Sequence, residues 1–258
     1  MSGIEKFIKT KEDFKKSYEG LKNESRLITF DGVDGAGKTE ILKRVIEKLK
    51  ERFKNEGKNP DDIVYLKCTS LRDTNSQKNI SETINKCRDE NNFWDKNKID
   101  YILNLWSAKL NRSYGDHILP LTRKGKTVIL DRSEIDIFRA GIEWGNKELV
   151  DKIKEYMENG TLTHGITAAN RIFVSSETND AYKNLTERSK SLSKNDPRSL
   201  DEMKSRVKNE EEAEKLIVEI QKEKPNVIKV ENKRIENEKE RNVQFEKIAE
   251  KIISNLKL

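Results

Sequence analysis

Five short runs of apolar, largely β-branched residues recur along the chain: Leu27 to Asp31, Ile63 to Cys68, Thr127 to Asp131, Arg171 to Ser175 and Asn226 to Val230. Each has the length of a strand, and the unbroken apolar character predicts burial on both faces. Between them the chain is heavily charged, with apolar residues at helical spacing. Ile41, Val45, Ile46 and Leu49 follow the first run in this way, and Val243, Phe245, Ile248, Ile252, Ile253 and Leu256 give the last segment one apolar stripe. Strands alternating with helices predict a parallel sheet covered by helices, an α/β domain over residues 25–258.

Two segments stand outside that alternation. Residues 1 to about 24 place Ile4, Phe7, Ile8, Phe14, Tyr18 and Leu21 at spacings of an amphipathic helix, an added element expected to pack on its own domain or on a partner. Residues 178–224 hold the basic stretch ERSKSLSKNDPR and then a long charged segment from Ser199 to Lys224. There Asn195, Asp196 and Pro197 read as a turn ahead of a new helix. No internal repeat or low-complexity linker calls for a second independent domain.

Composition narrows the function classes. Of 258 residues 33% are hydrophobic and 38% charged, with a net charge of +6. That mild excess favours anionic ligands; it permits a nucleic-acid partner without favouring one. No window approaches the ~20 apolar residues of a membrane span, and the first residues carry charges where a signal peptide would be apolar, so a cytoplasmic protein is expected. Cys68 and Cys87 are the only cysteines, and His117 and His164 the only histidines. Their spacing argues against a structural zinc site or a disulfide framework.

The strongest local signal is Gly32-Val33-Asp34-Gly35-Ala36-Gly37-Lys38-Thr39, which satisfies GxxxxGK[ST] between a predicted strand and a predicted helix. Small residues let successive backbone N–H groups close around phosphate oxygens, and the helix N-terminus adds partial positive charge. Lys38, expected to be exposed in the loop, would reach the terminal phosphates, and the Thr39 hydroxyl would ligate Mg²⁺. The third apolar run ends in Asp131-Arg132-Ser133. A carboxylate at the end of a neighbouring strand suits Mg²⁺ or its water shell, and the adjacent arginine suits a bidentate clamp on an acceptor phosphate. Alone, these two would read as a helix cap and a surface ion pair; beside the phosphate loop the functional reading is preferred.

The segments ITFDGVDGAGKT, ILPLTRKGKTVILDRS and ERSKSLSKNDPR resemble, in order and spacing, thymidylate kinases of the P-loop nucleoside monophosphate kinase class. The resemblance covers about residues 25–255, and only the loop and the Asp-Arg strand are specific motifs. It implies a P-loop NTPase-type five-stranded parallel sheet with the loop's strand in the middle, flanked by helices and carrying a helical lid at about residues 186–200. It also implies phosphoryl transfer from ATP with Mg²⁺ to a deoxynucleoside monophosphate, often in a homodimer. The family supplies an arginine from the loop or the lid. Here Gly35 and Ala36 fill the loop, which points to Arg188, Lys190, Lys194 or Arg198, with Arg188 preferred and Lys194 beside it on the donor phosphates.

Departures fall around the acceptor. The acidic-Pro-Gly stretch after the second strand is replaced by Cys68-Thr69-Ser70-Leu71-Arg72-Asp73, leaving Arg72 or Asp73 as the substitute. The residues after the Asp-Arg pair, Glu134 to Arg139, lack the small polar, Tyr or Gln residues that lie near thymine in the family. Trp106 and Arg112 resemble the family's aromatic and Asn-Arg stretch with altered spacing; Trp106 then serves either as a base platform or as core packing. The preferred reading is dTMP phosphorylation. Two others stay open: a deoxynucleoside or nucleic-acid kinase on the same fold, with Asp73 as the nearest base, and a nucleotide-dependent binding or regulatory protein without efficient transfer.

Overall fold

The computed structural model describes residues 22–67, 75–87, 98–145, 147–188, 197 and 199–258. Five parallel strands form one sheet: β1 (Lys22–Asp31), β2 (Ile63–Lys67), β3 (Thr127–Asp131), β4 (Ile166–Ser175) and β5 (Asn226–Glu231). Their order is β2-β3-β1-β4-β5, so the strand that feeds the glycine-rich loop is central. The helices are α1 (Lys38–Asn55), α2 (Asn75–Asn85), α3 (Ile99–Ser113), α4 (Leu119–Arg123), α5 (Ile135–Glu143), α6 (Lys147–Glu158), α7 (Thr178–Arg188), α8 (Leu200–Ile220) and α9 (Glu238–Asn255). No helix among the described residues is long and apolar enough to cross a membrane.

Alternation along the strands divides the core in two, because successive side chains point to opposite faces of a sheet. Ile28, Phe30, Ile129, Ile172 and Val174 pack under α1 and α9, against Ile41, Val45, Leu49, Phe245 and Ile252. Leu27, Val128, Leu130 and Phe173 face the other way, toward Leu103, Tyr114, Phe138, Ala213 and Ile217 on and around α3, α5 and α8. Helices on both faces explain why the strands carry almost no polar alternation.

The strand borders correct the sequence reading at the start of two strands: β4 begins at Ile166, ahead of the run from Arg171, and β1 begins at Lys22. Residues 22–24, expected to end a helical extension, are the start of β1. They pair with residues 166–168 of β4 before a register shift between Glu24 and Ile28. Lys22 to Arg26 is exposed or half-buried, so no apolar run marked this part of the strand. Residues 1–21 lie outside the described residues.

Two local devices matter for the site. The α8 helix starts at an N-cap in which Ser199 Oγ accepts a hydrogen bond from Glu202 N at 3.1 Å. Between α3 and α4 a wide turn spans Tyr114–Ile118 and carries Tyr114 into the core, where its hydroxyl donates to Glu134 Oε2 at 2.9 Å.

Candidate active site

The loop between β1 and α1 is closed by its surroundings. Gly32 has φ +130°, and a Cβ there would lie 2.1 Å from the Val174 carbonyl oxygen; at Gly35, φ +83°, it would lie 2.1 Å from that of Ala181. Both collisions are with backbone, so glycine is required by conformation and by space alike. The loop is also tied from outside, since Asn232 Nδ2 donates to Ala36 O at 3.0 Å and Asn184 Nδ2 to Gly35 O at 3.1 Å.

Lys38 is buried, contrary to the expectation of an exposed loop lysine. Its Nζ donates to the carbonyls of Gly32 at 2.6 Å and Val33 at 2.7 Å, which satisfies the ammonium inside the concavity. Burial, seconded by the Arg132 charge, brings its pKa down to about 8. Thr39 is exposed at the first turn of α1.

The neighbouring strand completes the floor. Asp131 ends β3 opposite Lys67 of β2 and accepts a hydrogen bond from Tyr65 Oη at 3.1 Å. Burial and the Asp131 carboxylate push the Tyr65 hydroxyl up to about 12, so it remains a donor. Arg132 has φ +72°, an uncommon conformation for a residue with a side chain. That geometry aims its guanidinium across the loop, where it pairs with Asp34, donates to Asp136 Oδ1 at 3.1 Å and reaches Gly32 O at 3.4 Å. Burial would raise the Asp34 pKa, yet Arg132, Lys38 and Arg206 hold it well below the usual carboxylate range.

Asp34, Gly35, Gly37, Lys38, Thr39, Asp131 and Arg132 line one cleft of about 820 Å³, while Gly32 and Ala36 lie buried beneath it. Residues from α7, from the segment linking β5 to α9 and from α9 itself, including Asn184, Arg234 and Arg241, form the rest of its wall. Thr39 and Asp131 are hard oxygen donors that both line the cleft, and no group of three His, Cys, Asp or Glu converges among the described residues. The donor set therefore fits a Mg²⁺ ion that takes most of its ligands from phosphate oxygens and water.

Beneath the cleft runs a buried polar network. Ser133 Oγ donates to Asp31 Oδ2 at 2.9 Å, while Glu134 pairs with Arg171, both fully buried. Arg171 Nε donates to Gln221 Oε1 at 2.5 Å, and its NH2 to Thr167 Oγ1 at 2.8 Å. Burial pushes the Asp31 carboxyl up to about 8 despite Arg171, with Glu134 and Glu210 adding to the rise. Arg132 is thus flanked by residues fixed below the site, and its own N–H donates to Phe30 O at 3.0 Å.

Other sequence candidates fall elsewhere. Arg72, Asp73, Lys190, Lys194 and Arg198 lie outside the described residues, and Arg188 closes α7 with its side chain likewise outside them. Trp106 stacks on Trp144, centroids 5.7 Å apart at 26°, and packs against Ile84, Cys87 and Ile102. Neither it nor the exposed Arg112 lines the cleft.

Sequence reading missed Lys67, a cleft residue at the end of β2, and the charged residues behind Arg132. Arg139 on α5 pairs with Asp136, Glu143 and Glu210; Arg206 on α8 pairs with Asp34 and Glu143. Glu210 Oε1 also accepts from Gly32 N at 3.1 Å. The available signal was spacing: Asp136, Arg139 and Glu143 share one face of α5, and Arg206 and Glu210 one face of α8.

No protein-family model matches the chain. A curated thymidylate kinase from Ligilactobacillus salivarius (strain UCC118) is 32% identical over 109 residues, which are 42% of this chain and 46% of that protein. The matched stretch thus spans about half the length of the curated relative. Among solved structures, thymidylate kinase from Ehrlichia chaffeensis superposes with a TM-score of 0.53 at 15% identity, covering 87% of this chain and 97% of that one. The likeness shows the fold, a P-loop NTPase-type parallel sheet between helices.

Proposed function

We propose that the chain is a deoxynucleoside monophosphate kinase that transfers the γ-phosphoryl group of ATP to dTMP. The observation that carries this reading is the pairing of Arg132 with Asp34: a guanidinium from the neighbouring strand already holds an anion at the rim of the phosphate loop. A loop for donor phosphates and an arginine for a second anion, facing one cleft, suit a phosphorylated acceptor better than a neutral one. The partial sequence match and the fold likeness to thymidylate kinases support the choice of dTMP.

In this reading the loop amides and Lys38 hold the β- and γ-phosphates, with Gly32, Asp34, Gly35, Ala36 and Gly37 shaping the cradle. Thr39 and Asp131 would hold magnesium, which would supply neutralising charge on the donor oxygens. Tyr65 orients Asp131, and Arg132 orients the acceptor phosphate in line with the γ-phosphorus. An acceptor phosphate oxygen forms the new bond while the bond to the β–γ bridging oxygen breaks, and ADP leaves. The acceptor is already ionised, so no strong general base is needed. Arg188, the last residue of α7, and Lys194 would add positive charge on the donor phosphates, as the family resemblance implies. The same reading includes a homodimer and a cytoplasmic setting.

Binding calorimetry with an unreactive ATP analogue and Mg²⁺ tests the acceptor class. dTMP is expected to bind more tightly than thymidine, and more tightly than dCMP or dGMP. Tighter binding of thymidine would move the assignment to a nucleoside kinase. Binding of a short oligonucleotide alone, with steep salt dependence, would move it to a nucleic-acid kinase.

A further inference from the structure

Asp34 sits between two arginines. One carboxylate oxygen meets Arg132, and the other lies 3.5 Å from Arg206 NH1. Two guanidinium groups facing two oxygens of one anion are the arrangement a phosphate would also satisfy. The second arginine comes from α8, outside the loop, the Asp-Arg strand and the basic stretch before the helix.

The position of Arg206 is built. One turn further along α8, Glu210 is almost fully buried; it accepts the Gly32 N–H and pairs with Arg139 at 3.1 Å. This pins the helix to the start of the phosphate loop, so the Arg206 guanidinium has a fixed origin. Its ion pairs with the carboxylates of the cluster are long, 3.5 Å to Asp34 and 3.8 Å to Glu143. Those two carboxylates are also the most exposed in the cluster, at 31% and 37%, against 17% for Asp136 and 3% for Glu210. A long pair to a partly exposed carboxylate is weaker than a close, buried one.

We infer that Arg206 is the second arm of the acceptor-phosphate clamp, and that the acceptor's phosphate displaces the Asp34 carboxylate from between Arg132 and Arg206. The inference rests on the monophosphate-kinase reading and names a residue that reading does not require. A dianionic phosphate outcompetes a carboxylate for two guanidinium groups because it brings more charge and a third acceptor oxygen. Asp34 then acts as a place-holder that keeps both arginines oriented and their charges compensated before the acceptor arrives.

The test is a titration of dTMP and of thymidine into wild type, Arg132→Ala, Arg206→Ala, Arg206→Lys and Asp34→Asn, each checked for folding by circular dichroism. Removing a charge-assisted contact of this kind is expected to weaken dTMP binding about 10- to 100-fold and to leave thymidine binding unchanged. Lysine at 206 should recover part of the loss, since it keeps the charge without the fork. Asp34→Asn should bind dTMP more tightly than wild type, because the competing carboxylate is gone. If dTMP binding depends on Arg132 and is indifferent to Arg206, or if Arg206→Ala weakens both ligands equally, the clamp is wrong and the kinase reading survives. A wild-type protein that binds no deoxynucleoside monophosphate overturns both.

Discussion

The ion pair beneath the site gives a quantitative test of how Arg132 is held. Glu134 and Arg171 are fully buried, and Arg171 also serves Gln221 and Thr167. Arg171→Met keeps most of the side-chain volume and strands the Glu134 carboxylate with the Tyr114 hydroxyl as its remaining hydrogen-bond donor from a side chain. Breaking one side of a buried pair costs about 3–5 kcal/mol, because the surviving charge stays out of water. Set against a total stability of about 5–15 kcal/mol this is large. At about 2–4 °C per kcal/mol for a domain of this size, Tm should fall by roughly 6–20 °C. The double variant Glu134→Leu with Arg171→Met removes both charges, and it should recover most of the loss, since replacing a buried pair by apolar groups is often close to neutral.

Urea unfolding monitored by circular dichroism provides the ΔG values for this cycle. A functional readout accompanies it. Glu134 is two residues from Arg132, whose left-handed backbone costs about 1–2 kcal/mol and persists only under such constraint. The single variant should therefore raise KM for the acceptor more than KM for ATP at a temperature where it remains folded. A cost below about 1 kcal/mol for Arg171→Met, or a double variant as unstable as the sum of the singles, would refute the reasoning.

Gly35→Ala should fail to accumulate as folded protein or lose nucleotide binding, because its Cβ would sit 2.1 Å from the Ala181 carbonyl oxygen; thermal unfolding with and without an ATP analogue checks this. Lys38→Met should lower turnover at least ~100-fold, as expected for a preorganised charge, without lowering Tm at pH 7. The lysine's folded pKa near 8 lies below its ordinary 10.5, so the wild-type fold is penalised below pH 8 and regains stability between about 8 and 10.5, a gain the variant should lack. For Asp31 the sign is reversed. Its folded value near 8 lies above the ordinary 3.8, so its contribution is fully present below about pH 4 and is lost as pH rises to 8. Asp31→Asn should flatten the stability profile across that window, and an unchanged slope would mean that Asp31 is ionised in the fold.

What could be read before the structure follows burial and local chemistry. The β3 run is buried throughout and was delimited correctly, as was the central position of β1 through the family resemblance. The exposed first half of β1 was not, because its pairing with β4 is made by backbone groups that leave no hydrophobic signature. The glycine-rich loop was legible because the residues that cradle phosphate are contiguous. Arg206 and Glu210 are brought to the loop, about 170 residues earlier in the chain, by the packing of α8 along α5, a relation that no local pattern encodes. The burial of Lys38 was missed for a different reason: its acceptors are local, but they are backbone carbonyls of the turn, which no residue type in the sequence marks.

The central claim is phosphoryl transfer to a phosphorylated acceptor, and the most direct measurement is ADP formation from ATP and Mg²⁺ with each of dTMP, dCMP, dGMP and thymidine, or with no acceptor. The account predicts turnover that requires a monophosphate, is greatest with dTMP, and is lost in Lys38→Ala. ADP formation that proceeds equally without acceptor, or faster with thymidine than with dTMP, would contradict it.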